Sequence, residues 1–134
     1  MIMATNSLKI QRFRANDLVD NGGKQFELGR SWCDDFFEFN RDDTEVVINL
    51  TFKSLCNEYE KYTNKNIELK LSGVSTRGDR KAYVNGENGR SQIKDFFIKD
   101  LQLTVENNSE DYFGVYKSNL GEYYLYFIPR PLYQ

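Results

Sequence analysis

Histidine is absent from all 134 residues. That excludes Ser-His-Asp and Cys-His catalysis, histidine general-base hydrolysis and mixed Cys/His zinc sites. The two cysteines, Cys33 and Cys56, are too few for a four-cysteine zinc site, and in a cytosolic chain they are expected as free thiols. No GxxxxGK[ST] loop occurs, and no GxGxxG follows a strand. No apolar run approaches the roughly 20 residues of a membrane helix. The start, MIMATNSLKIQRF, lacks the apolar core of a signal peptide. These absences predict a soluble cytoplasmic protein that does not associate with membranes. Any remaining catalysis would have to use carboxylates, lysine and a hard cation such as Mg²⁺. No cofactor or metal site is expected, and an enzyme less than a binding protein.

There is ample material for a core: 40% of residues are hydrophobic and 15% aromatic. The surface must be polar, since 28% are charged and mean hydropathy is −0.67. The length fits a single domain over 1–134, with residues 1–7 a loose start.

Along the chain, Leu8 and Ile10 alternate with Lys9 and Gln11, which predicts a strand over Leu8–Phe13. Asp20-Asn21-Gly22-Gly23 signals a tight hairpin returning through Gln25–Leu28. Ser31–Asn40 reads two ways. As a helix it joins Trp32, Phe36 and Phe39 on one face, with Ser31 as cap and Asp34 behind it; as a strand it sets Phe37 beside Phe39. Thr44–Leu50 is β-branched and predicts a strand. Phe52, Leu55, Cys56 and Tyr59 have helical spacing over Thr51–Tyr62.

Ile67, Leu69 and Leu71 alternate with Glu68, Lys70 and Ser72, a half-buried antiparallel strand. A polar excursion over Gly73–Lys81 leads to a strand centred on Ala82-Tyr83-Val84. Ile93, Phe96, Phe97 and Leu101 share a helical face with Ser91 as cap. Leu101, Leu103 and Val105 alternate and suggest another strand. Tyr112–Tyr116 and Glu122–Ile128 predict a hairpin stopped by Pro129 and Pro131. Tyr124 and Tyr126 fall on one face of its second strand and Tyr123, Leu125 and Phe127 on the other, a pattern read as core rather than a base-stacking platform. The expected fold is α+β: a mostly antiparallel, partly closed, barrel-like sheet with two or three short helices.

Charge is unevenly distributed. Between Lys65 and Ser91, Lys65, Lys70, Arg77, Arg80, Lys81 and Arg90 stand against Glu68, Asp79 and Glu87, an excess of three in a chain of net charge −2. The run Leu71-Ser72-Gly73-Val74-Ser75-Thr76-Arg77-Gly78-Asp79-Arg80 reads as a strand ending in a polar arm. Lys81-Ala82-Tyr83-Val84 returns, Ile93-Lys94-Asp95-Phe96-Phe97 supplies a short helix, and a hairpin closes the series. This succession resembles the B3-like pseudobarrel, the DNA-binding fold of plant B3 factors and of specificity domains in some restriction endonucleases. The resemblance covers about half the chain, and the acidic N-terminal half has no clear counterpart. It implies a wrench-like grip on the major groove of duplex DNA, in a recognition domain of a restriction or defence system. The first arm would be Ser75, Thr76, Arg77, Asp79, Arg80 and Lys81, with Asn85, Asn88 and Arg90 positioning the backbone. The second would be Lys117, Ser118 and Asn119. An arginine fork matches guanine O6 and N7, and hydroxyls bond bases or phosphates.

Other readings of the same residues stay open. Arg77-Gly78-Asp79-Arg80 also fits a solvated turn with a weak ion pair, and an acidic pI near 5.2 is unusual for a duplex binder. Residues 34–60 carry Asp34, Asp35, Glu38, Asp42, Asp43, Glu45, Glu58 and Glu60 against Arg41 and Lys53, a balance of −6. That suggests a protein-binding face, as in phage or mobile-element inhibitors, or simply a solvated surface. Glu68-Leu69-Lys70 with Asp42 or Asp43 fits the PD-(D/E)xK pattern of Mg²⁺-dependent nucleases, but the triplet is unspecific and also the ordinary outward face of an alternating strand.

Overall fold

The computed structural model describes residues 7–19, 26–29, 31–38, 45–72, 80–82 and 91–133. Among the described residues seven strands form one sheet: β1 Leu8–Arg12, β2 Phe26–Leu28, β3 Glu45–Phe52, β4 Asn66–Ser72, β5 Arg80–Ala82, β6 Tyr112–Lys117 and β7 Tyr123–Ile128. Their order is β1-β6-β7-β3-β4-β5-β2. All neighbours are antiparallel except β3 and β7, which run parallel. The fold is α+β and mostly antiparallel, with more helical turns than the two or three expected.

Alternation builds the inner face. Ile48, Leu50 and Phe52 of β3, Ile67, Leu69 and Leu71 of β4, Phe113 and Val115 of β6, and Leu125 and Phe127 of β7 are all buried. Removing each such side chain from water is worth about 1.5–3 kcal/mol. The sheet curls around two helical plugs. One is Gln92–Asp95 running on into Phe96–Asp100, with Ser91 as its cap, accepting from the Lys94 amide as expected. Phe96 meets Phe52 and Tyr62, while Phe97 touches Phe13, Phe26 and Phe113. The other is Ser31–Phe36, a π-helical turn, so the helical reading of this stretch prevails. Trp32 stacks on Phe113 and donates to Gln11 Oε1 at 2.6 Å.

Phe26 and Phe113 meet at 5.4 Å although their strands lie far apart in the sheet order. Curvature alone brings them together. No pairing joins β1 to β2 among the described residues, so the sheet is not closed into a barrel.

Several local expectations fail for identifiable reasons. β1 does not form a hairpin with β2: it pairs with β6, and β2 pairs with β5. The predicted helix over Thr51–Tyr62 is strand through Phe52, because Phe52 continues the inward row of Ile48 and Leu50. Leu55 is 49% exposed, and only Asn57–Tyr62 winds, as a 3₁₀ turn. Leu101 and Leu103 are buried without being strand, and Val105–Asn108 is a helical turn. Thr104 caps it by accepting from the Asn107 amide at 3.1 Å. β5 starts at Arg80, so Arg80 and Lys81 belong to a strand rather than to the loop. β7 ends before Pro129 as expected, but Pro131 sits in a short helical turn, Arg130–Tyr133. Tyr124 and Tyr126 are not core; they are half-buried on the outer face.

Candidate nucleic-acid interface

Strand direction determines which loops meet. β4 runs antiparallel to β3, β7 parallel to it, and β6 antiparallel to β7. The chain leaving β4 at Ser72 and the chain leaving β6 at Lys117 therefore emerge at the same end of the sheet. Both candidate arms start there. They differ in height: Tyr123 opens β7 beside Leu50, whereas Ser72 closes β4 opposite Glu45. Five residues of β3 separate the two levels, about 16 Å along the strand. Across the sheet the arms stand about three strand spacings apart, roughly 14 Å, comparable to the approximately 12 Å width of a major groove.

Of the first arm, Ser75, Thr76, Arg77 and Asp79 lie outside the described residues, as do Asn85, Asn88 and Arg90. In β5, Arg80 is opposite Leu28, and Lys81 lies between Ser72 and Glu27. The second arm is a braced turn. Ser118 Oγ accepts from the amides of Leu120 and Glu122, the Ser118 amide donates to the Glu122 carbonyl, and Gly121 takes φ +81°, the left-handed region glycine tolerates. Asn119 is exposed and Leu120 is 87% exposed at the tip. Lys117 has another task. Its Nζ donates to the Phe36 carbonyl at 3.0 Å, lies 3.3 Å from Glu38 Oε2 and sits over the Phe36 ring. This lysine pins the Ser31–Phe36 plug to the end of β6 and is not a free phosphate contact. Glu122 accepts from the Tyr124 hydroxyl, which raises the tyrosine pKa.

The acidic segment is not one patch. Asp35 and Glu38 lie at this end of the sheet, while Glu58 and Glu60 follow β3 at the other. β3 carries the chain eight residues between them, about 26 Å. Glu68 and Lys70 lie on the outer face of β4, opposite Asn49 and Val47. Among the described residues no three metal-ligating side chains gather, and Asp42 and Asp43 lie outside them.

Two features of the interior escaped sequence reasoning. Lys94 is buried and donates to the Asn16 carbonyl at 2.8 Å. Asp17, also buried, accepts from the Arg14 amide at 2.9 Å; burial pushes its pKa up, against the pull of Arg14 and Lys94. Both cysteines are free thiols, and burial raises the Cys56 pKa. Among the described residues no helix is long and apolar enough to cross a membrane. No family model, curated protein or solved structure matches the chain.

Proposed function

We propose that this chain is a duplex DNA-binding module, the recognition part of a restriction or defence system, with its curled sheet serving as an incompletely closed pseudobarrel. The observation that carries the reading is that the chain leaving β4 toward Arg77 and the Ser118–Glu122 turn emerge at the same end of the sheet, where Arg80 and Lys81 open β5. Because Lys117 is engaged with Phe36 and Glu38, phosphate neutralisation falls to the first arm, and the second contributes Asn119 and its backbone.

Binding to a random duplex, followed against salt, tests this. The account expects binding at low salt with a negative slope of log affinity on log salt. Replacing Arg77 and Arg80 together with alanine should flatten that slope by about two, one per lost phosphate contact, and leave the melting curve nearly unchanged. No binding at low salt would overturn the reading.

A further inference from the structure

Lys117 ends β6 with its ammonium held by three neighbours. Nζ donates to the Phe36 carbonyl at 3.0 Å, stands 5.6 Å from the centre of the Phe36 ring and lies 3.3 Å from Glu38 Oε2. The carbonyl and the ring fix the cation without neutralising it. Of the three, Glu38 alone brings a negative charge. The lysine side chain is 25% exposed and that of the glutamate 73%, and a pair this open to water adds little to stability. Phe36 already anchors the lysine, so packing does not call for the carboxylate. The backbone points the same way. Glu38 takes φ +58°, the left-handed region where glycine is the ordinary residue. A glutamate here carries strain that a glycine would avoid, and what it supplies is a carboxylate beside Lys117.

Without that carboxylate, Lys117 would be a fixed cation next to the Ser118–Glu122 turn, at the end of the sheet where the chain leaves β4. Such a cation binds the phosphates of any sequence. We propose that Glu38 is a specificity-determining residue that acts through Lys117. Its charge withholds the ammonium from the backbone of non-target duplexes, so that the first arm and Asn119 decide where the chain stays. Sequence-blind affinity falls, and the ratio of specific to non-specific binding rises.

The inference rests on the duplex-binding reading, so the probe is again a random duplex, titrated at several salt concentrations into the full chain and its variants. Glu38→Gln keeps an acceptor oxygen and removes the charge. Lys117→Met keeps an apolar stem on Phe36 and removes the ammonium. Glu38→Gln should bind about three- to tenfold more tightly at low salt, with the slope of log affinity on log salt more negative by about one, the mark of one added phosphate contact. In the Lys117→Met chain the same change should leave affinity and slope as they were. A merely structural role for Glu38 would move the melting temperature and not the slope. Should Lys117→Met fail to fold, side-chain NMR decides: the duplex should shift the Lys117 ε-methylene signal in Glu38→Gln and not in the parent. Unchanged affinity and slope in Glu38→Gln, or an equal gain with and without the Lys117 ammonium, would overturn the inference and leave the duplex reading standing. Absence of binding by every variant at low salt would overturn both.

Discussion

Both faces of the β1–β6–β7 half of the sheet are aromatic, and the two are built differently. Inside, Phe13, Trp32, Phe97, Phe113 and Phe127 interlock with ring centroids about 5–6 Å apart. Outside, Tyr112, Tyr116, Tyr124 and Tyr126 stand half-buried or exposed, and Tyr116 and Tyr124 stack at 6.4 Å. The inner rings carry no hydroxyl to satisfy. Among the outer ones, Tyr124 donates its hydroxyl to Glu122. The two-residue period thus puts phenylalanine inside and most of the tyrosines outside, with Tyr123 kept on the inner row against Phe36 and Phe37, and aromatic content alone does not identify a core.

The sharpest way to separate the faces is to cut each one. Phe97→Ala removes a fully buried ring touching Phe13, Phe26 and Phe113 and should cost about 3–5 kcal/mol in chemical denaturation. On the boundary between the faces, Gly114→Ala puts a Cβ 3.1 Å from Ile128 Cδ1 and 3.3 Å from the Lys9 carbonyl. It should cost about 1–2 kcal/mol by overpacking, and Ile128→Val in the same chain should recover part of that.

Asp17 is a polar exception inside. Its pKa is raised by burial above the usual 3.8, so the folded state holds the proton more tightly than the unfolded chain. Stability is therefore greatest below about pH 3.8 for this group and falls as pH rises through the raised native value. Asp17→Asn should flatten that part of the stability–pH curve, while an unchanged slope would remove Asp17 as its source. On the outer face, Tyr124→Phe should alter stability by less than about 0.5 kcal/mol. Glu122→Gln should lower the Tyr124 pKa toward that of an ordinary phenol in spectrophotometric titration.

The parts of the fold legible from sequence were those a short window can contain. β4 and the β6–β7 hairpin announced themselves through alternation, and the Ser91-capped helix through its phenylalanine pair. What was not legible depends on distant partners. Nothing in Leu8–Arg12 names Tyr112–Lys117 as its neighbour, and nothing in Phe26–Leu28 names Arg80–Ala82. Phe52 looked helical because Leu55, Cys56 and Tyr59 follow at the right intervals, yet tertiary packing against Phe96 keeps it in the strand. The candidate site was half legible. Its basic arm stood out by charge, but the commitment of Lys117 to Phe36 and Glu38 links residues 79 or more positions apart.

The central claim is that one end of the sheet meets DNA. Chemical-shift mapping with a random duplex on labelled protein tests it most directly. The account predicts perturbations at the amides of Ser72, Arg80, Lys81 and Asn119–Gly121, with Asn57–Tyr62 and Val105–Asn108 at the far end unmoved. Shifts centred on that far end, or none at low salt, would contradict it.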